Sequence, residues 1–463
     1  MKDERAEVFR DRILNGPIVK TLLWLAYPII LANLVNLSYN LVDAFWLGKL
    51  GKAAFGAPTV CWPLIMLFYS VGMGYARAGI ALISQYYGAG DKRLTEKSAG
   101  NLFSSIAIVA LLLSLLGYTL APEALKLMSV PSDIYPLAVS YIRVIFLGIP
   151  LSFLGFAFNT IASALGDTKT PSRLNIISVL FNIVLDPILI FGLFGFPKMG
   201  VIGAALATVV SRSLVSFVGG YLLFKGFRGI KIGLKDLKIE GWWLKKVISI
   251  GTPLTIQQSS NSLGFTIMMS LVSRYGTTIV AAYGVVIRLI NILEAFTWGI
   301  NRATSIMVGQ NIGAERYDRA RAIANMSNIL IAGSLTLGSI FIYGFREQLI
   351  AVFINKPDVI VEGSKLIQIL AISIPFFGLF FTTGAIASGS GHTKIFALLS
   401  IIRLWVLRIG LSIILSFILG LGPEGLWIAM SISNICIGIA SFLWLKRGTW
   451  LKRVIEVHSP MGG

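Results

Sequence analysis

Apolar runs long enough to cross a hydrocarbon core recur along the whole chain, near residues 21–47, 54–88, 98–121, 134–164, 174–194, 199–224, 247–272, 278–312, 322–345, 362–390, 395–420 and 425–445. A helix needs about 20 apolar residues for one crossing, and several runs exceed that, which predicts tilted or bent helices. The pattern predicts an all-α polytopic membrane protein of twelve transmembrane helices, and an even number places both termini on one side.

The pattern also repeats. Sliding the chain by 225 residues pairs Pro28 with Pro253, Gly51 with Gly276, Arg77 with Arg302, Gln85 with Gln310, Pro150 with Pro375, and Thr168–Lys169 with Thr393–Lys394. A basic stretch at 225–246 separates the copies. The expected organisation is an N-terminal six-helix lobe over 1–224, a basic cytoplasmic linker over 225–246, and a C-terminal six-helix lobe over 247–463. An even number of spans per copy makes this a parallel repeat, with an axis along the membrane normal, as in transporters that rock two lobes about a central site.

Composition agrees with a membrane protein. Of 463 residues 56% are apolar and 13% charged, with mean hydropathy +0.80, which excludes a cytosolic enzyme and a disordered chain. The net charge of +19 would suggest nucleic acid in a soluble protein. Here its placement matters more than its size. Segments on the side of the termini hold 25 of the 40 Lys and Arg, the opposite segments eight, so the termini are expected in the cytoplasm. The opening MKDERAEVFRDR mixes acids with bases and leads into a span that continues into the fold, unlike a cleaved signal peptide. Cys61 and Cys436, far apart in apolar surroundings, form no disulfide framework.

A charge inside a span costs roughly 2.5–3.5 kcal/mol on insertion scales, so each requires a reason. Away from the span ends, three acids lie inside spans: Asp43, Asp186 and Glu294. Asp43 ends a stripe of Asn33, Asn36 and Asn40, with Tyr39 one turn earlier, and Asp186 ends one of Asn175, Ser178 and Asn182. Asn33 and Asn36 map onto Gln258 and Asn261 in the second copy, whereas Asp43 maps onto Met268 and Asp186 onto Leu411. The scaffold is duplicated and this pair of carboxylates is not, which points to function in the first lobe. Such acids could relay protons, or hold Na⁺ together with Asn182 and nearby hydroxyls. Pro28 and Pro187 supply weak points where helices could bend beside the acids.

Other groups carry less. Arg77 and Arg302 are repeat equivalents and suit a structural role. Arg143, Arg212, Arg288, Arg403 and Arg408 could snorkel or pair with carbonyls, Glu294 could pair with Arg288 or line the second lobe's cavity, and His392 is expected to be solvated. There is no nucleotide-binding P-loop, no usual zinc set, no nucleophile elbow and no K⁺-type filter. Neither an enzyme nor a cofactor protein is expected, and a carrier driven by an ion gradient remains.

The segments YPIILANLVNLSYNLVDAFWLGKLG, ISQYYGAGDKR, ALGDTKTP, NIVLDPILIFG and GAALAT, in this order, resemble the multidrug and toxic compound extrusion (MATE) family, the archaeal and DinF-like branch most of all. The resemblance spans essentially the whole chain. It implies two six-helix lobes exporting amphipathic, often cationic, compounds against H⁺ or Na⁺, with the coupling acids matching Asp43 and Asp186. The neighbouring polar set carries over as Tyr39, Tyr141, Asn159, Asn182 and Thr208. The NorM-like branch also has acids in its second lobe, where this chain has neutral residues such as Ser262 and Leu379.

The combined expectation is a proton- or sodium-coupled antiporter acting as a monomer on small organic substrates, in contact with membrane lipid and not with nucleic acid. Ion coupling falls to Asp43, Asp186, Asn182, Thr208 and Tyr141, and substrate binding to Tyr39, Asn36, Asn159 and Asn182. An alternative is a flippase for lipids or lipid-linked oligosaccharides, in which Arg77, Arg288 and Arg302 would converge on one cleft.

Overall fold

A computed structural model describes residues 2–128 and 130–456, with backbone alone at residues 2–7, 37, 38, 40 and 41. The Asn40 side chain and His458 therefore lie outside the described residues. A charged helix α1 (Lys2–Asn15) comes first. The apolar runs then fall on α2 (Ile18–Leu50), α3 (Lys52–Ala89), α4 (Lys92–Leu127), the pair α5 (Tyr135–Leu147) and α6 (Ile149–Ala164), α7 (Lys169–Phe191) and α8 (Val201–Lys225). After the linker come α9 (Gly241–Ser273), α10 (Thr277–Gly313), α11 (Tyr317–Gly344), a short α12 (Arg346–Phe353), and the pair α13 (Pro357–Ala371) and α14 (Ile374–Ser390). Helix α15 (Thr393–Ile401) continues into π-helical segments at Ile402–Gly410 and Ile413–Ile418, and α16 (Gly422–Arg447) closes the series.

Among the described residues nine helices are long and apolar enough to cross a membrane, and the two bent pairs bring the number to eleven. Helix α9, the remaining one of the twelve expected spans, is not among them, because the mid-helix run Gln257, Gln258, Ser259, Ser260, Asn261 and Ser262 dilutes its apolar character. The protein is thus an all-α, multi-pass membrane protein whose second half repeats the helix order of the first. Exposed Leu111, Leu112, Leu115 and Leu116 on α4 and Leu337, Ile340 and Phe341 on α11 are apolar surface of the kind a bilayer covers.

The expected bends occur in two of the longest runs. The axis turns by 46° between α5 and α6 and by 59° between α13 and α14. Pro150 and Pro375, equivalent in the repeat, sit in the first turn of α6 and α14. There the missing N–H is not needed, while the ring prevents the preceding helix from running on. By contrast α2 and α7 run unbroken through Pro28 and Pro187. The tight α2–α3 and α9–α10 turns use the equivalent glycines Gly51 (φ 114) and Gly276 (φ 88), in a region of backbone space that a side chain makes costly.

The chain forms two compact units. One comprises Tyr27–Thr255 with the N-terminal helix, the other Pro17–Ala26 and Ile256–Glu456. Inside each, helices approach closely at small residues. A Cβ on Gly203 of α8 would lie 2.5 Å from the Leu189 carbonyl oxygen of α7. One on Gly389 of α14 would lie 2.2 Å from that of Ser305 on α10. In lipid, where apolar burial between helices gains little, such close backbone packing is a principal source of helix association.

The linker is tied to the first unit. The Glu240 N–H donates to Asn101 Oδ1 (2.7 Å), and the Asn101 amide donates to the Asp236 carbonyl (3.1 Å). Lys97 pairs with Glu240 at 2.7 Å, and that ammonium with the Trp242 indole N–H holds the Glu240 carboxyl below its usual pKa. Arg228 pairs at 2.7 Å with Asp167, which is fully buried in the α6–α7 loop and also caps Thr170. At the matching position in the second unit, His392 departs from expectation. It is half-buried, its Nδ1 lies 3.2 Å from the Ser390 carbonyl, and burial lowers its pKa.

Candidate functional site

In the first unit, α2, α7 and α8 bring their polar stripes around one cavity of about 390 Å³, a size that suits a drug-sized molecule. Asn36 and Tyr39 from α2, Asn182 from α7 and Thr208 from α8 are on its wall, as is Asn159 from α6. The remainder joins apolar Trp62, Met66, Met73 and Phe156 with Ser152, Asn175, Ser178 and Ser211. An apolar wall with a few convergent amides and hydroxyls suits an amphipathic guest.

Hydrogen bonds set the stripes in place. Ser178 Oγ donates to the Ser211 carbonyl (2.6 Å), tying α7 to α8 more than two helical turns from the close approach at Gly203. The Tyr39 hydroxyl and Thr208 Oγ1 are 3.0 Å apart, linking α2 to α8. Asn175 donates to Asn159 Oδ1 (3.2 Å) and to the Pro171 carbonyl (2.7 Å), joining α7 to α6.

The acids lie off the cavity wall. Asp186 is fully buried, and its Oδ1 accepts from the Asn182 amide one turn earlier at 3.3 Å. Since Asn182 is on the wall, it connects the cavity to the acid. Asp43 is within electrostatic range of both Asp186 and Arg212. Tyr141, buried on α5, is within range of Tyr39, Asp43 and Arg212. Three buried oxygens here, Asp43 Oδ1, Asp186 Oδ2 and Asn182 Oδ1, have no hydrogen-bond partner. Leaving a buried acceptor unsatisfied costs about 1–3 kcal/mol, and more when it is charged. A proton or a bare monovalent cation relieves that cost; a bulky organic molecule on the cavity wall does not. Among the described residues no group of three or more His, Cys, Asp or Glu side chains could hold a metal ion.

Two participants were not assigned to the site from sequence. Arg212 Nη1 donates to the Tyr69 hydroxyl (2.9 Å), its guanidinium lies 5.7 Å from the Tyr69 ring centroid, and both residues are on the cavity wall. Rather than snorkelling, Arg212 supplies a positive charge beside the acids. The repeat contains the missed signal: Arg212 maps onto Ile437, so it is as private to the first half as Asp43 and Asp186.

A repeated bundle of membrane-spanning helices with a drug-sized cavity inside one repeat is the architecture of a membrane transport protein. The sequence pattern of the MatE family matches residues 28–188 and again 253–414, the spacing of the internal repeat. Probable multidrug resistance protein YoeA of Bacillus subtilis is 29% identical over 432 residues, covering 91% of this chain and 93% of that protein. The FAD transporter of Shewanella oneidensis is 26% identical over 440 residues, covering 95% and 96%. A crystal structure of MATE in the bent conformation shares the fold at a TM-score of 0.89, with 24% identity over 96% of this chain and 98% of that one. The chain belongs to the MatE family, whose members are transporters and not enzymes.

Proposed function

We propose that this transporter is an ion-coupled antiporter of the cell membrane that exports amphipathic, often cationic, organic compounds; the name multidrug resistance protein, borne by its Bacillus subtilis relative, supports export of drugs. The observation that carries the proposal is the placement of three unpartnered buried oxygens, on Asp43, Asp186 and Asn182, next to a drug-sized cavity. Substrate occupies the cavity while the acids are ionised, its positive charge favoured by the two carboxylates. Arrival of H⁺ or Na⁺ at Asp43 and Asp186 cancels that attraction. It also changes the hydrogen-bond demand on Asn182 and, across the Tyr39–Thr208 contact, the fit of α2 against α8. Substrate and ion then each weaken the other's binding, as linkage requires. The 25-to-8 distribution of basic residues supports cytoplasmic termini and a cytoplasmic linker. Within the family, the first-lobe acids favour the DinF-like branch.

The test is flux of ethidium, an amphipathic fluorescent cation, in proteoliposomes of the purified protein. An imposed proton or sodium gradient is expected to drive ethidium against its own gradient, and nigericin or monensin to abolish the drive. Flux that is the same with both gradients collapsed would overturn the proposal.

A further inference from the structure

The cavity wall of the first unit has a counterpart in the second with different chemistry. Tyr69, Met73, Ser152, Gly155, Phe156 and Ser178 are all on that wall. At the repeat spacing they map onto Glu294, Trp298, Phe377, Phe380, Phe381 and Arg403. In the second unit these six positions again form one cluster. Phe377 stacks with Phe381 (centroids 5.8 Å apart) and Trp298 meets Phe381 edge-on at 5.3 Å. The Arg403 guanidinium lies 5.3 Å from the Phe377 ring and 4.9 Å from that of Phe380. The small residues Ser152, Gly155 and Ser178 are replaced by Phe377, Phe380 and Arg403, and Met73 by Trp298, giving an aromatic shelf that carries a cation.

That cation is buried and incompletely hydrogen-bonded. Arg403 is only 7% exposed, and its Nε makes no hydrogen bond. One π-helical turn further, Arg408 donates to Asn434 Oδ1 (2.7 Å) and Ser433 Oγ (3.2 Å), both neutral. Glu294 is within electrostatic range of both arginines, yet one carboxylate faces two guanidinium groups. Arginine does not shed its proton at this depth, so the cluster is short of one negative charge. Arg408 and its repeat equivalent Ile183 differ as Arg403 and Ser178 do, so both bases are private to this unit. The winding of Ile402–Gly410 is π-helical, a rare form that is frequent at functional sites.

We propose that the second unit has its own ligand site, in which Arg403 and Arg408 bind the carboxylate or phosphate of an aromatic organic anion while Trp298, Phe377 and Phe381 hold its ring. The planar guanidinium fork matches two anionic oxygens. Exported compounds would then include acids and zwitterions as well as cations. This extension rests on the exporter proposal only for the use made of the site.

The test is calorimetric titration of the purified full-length protein, without any gradient, with three probes sharing one ring system: 2-naphthoate, 2-naphthyl phosphate and neutral 2-naphthalenemethanol. At least one of the two anions is expected to bind about tenfold or more tightly than the alcohol, the margin of charge-assisted hydrogen bonds. Arg403→Gln is expected to erase that margin while changing alcohol affinity by less than about twofold, and Arg403→Lys, which keeps the charge but not the fork, to retain part of it. Preference for one anion over the other distinguishes phosphate from carboxylate recognition. If neither anion binds more tightly than the alcohol, or if the margin survives in Arg403→Gln, the proposal is wrong. Should Arg403→Gln fail to fold, Arg408→Gln with Arg403→Lys makes the same comparison. Binding without a gradient tests this site and driven flux tests export, so either can fail alone.

Discussion

Asp43→Asn and Asp186→Asn, each alone, are expected to reduce gradient-driven ethidium flux in proteoliposomes to the level of protein-free vesicles, with the protein still folded and monodisperse. The substitution preserves size and hydrogen-bonding capacity but fixes the side chain as neutral. Asp186 is fully buried and bonded to Asn182, so an amide there can keep its place in α7. What it cannot do is alternate between a charge that attracts substrate and a neutral or ion-bound form that releases it. Coupling between two ligands is typically about 1–3 kcal/mol, a 5- to 150-fold mutual effect on affinity. Removing the titratable or ion-binding oxygen sets it to zero for that site. The expected signature is therefore split: ethidium still binds, more weakly for loss of the charge, and is no longer moved uphill. Full driven flux in both variants would leave the first-unit acids without the proposed role.

Gly203→Val is expected to be the most damaging of single glycine substitutions near the site, for a packing reason. A Cβ there meets the Leu189 carbonyl oxygen at 2.5 Å and the Ile190 nitrogen at 2.9 Å. Both are backbone atoms that no rotamer change can move aside. Helix α8 would have to back away from α7, stretching the Ser178–Ser211 bond and separating Asn182 and Asp186 from Thr208. Overpacking of a tight contact commonly costs about 1–3 kcal/mol and occasionally more, and this contact leaves no side chain to yield. Thermal unfolding in detergent should show a large drop in midpoint and loss of monodisperse protein. Gly284→Ala, on α10, where nothing lies within 4 Å of the added Cβ, should be neutral or stabilising by up to about 1 kcal/mol, the gain in helix propensity. Equal stability of the two variants would contradict this packing account.

Much of the architecture was legible because lipid leaves a chain few options. A backbone crossing hydrocarbon must be helical, so length and apolarity alone place the spans. The internal offset of 225 residues did further work, singling out the acids as candidates private to the first copy and pairing Pro150 with Pro375. Length predicted that the long runs would bend, and the repeat had paired the two prolines, but the breaks were not assigned to them. Pro28 and Pro187, the prolines singled out beside the acids, lie in unbroken helices. A proline opens a new helix when it falls in the first turn, and apolar patterning does not distinguish that position from the interior of a long span. The Arg212–Tyr69 contact was illegible for another reason. It joins α8 to α3 across 143 residues, and helical periodicity reports neighbours only within one helix. The tied-down linker likewise depends on Asn101 and Asp167, remote residues whose polar character alone says nothing about their partners.

The central claim is that coupling ion and substrate displace one another through Asp43 and Asp186. It is tested most directly by adding ethidium to the purified protein in weakly buffered solution and measuring the protons, or the Na⁺, set free. The account predicts release that saturates with ethidium binding and disappears in the Asp43→Asn, Asp186→Asn double variant. Ethidium binding that liberates neither ion, or release undiminished in the double variant, would contradict it.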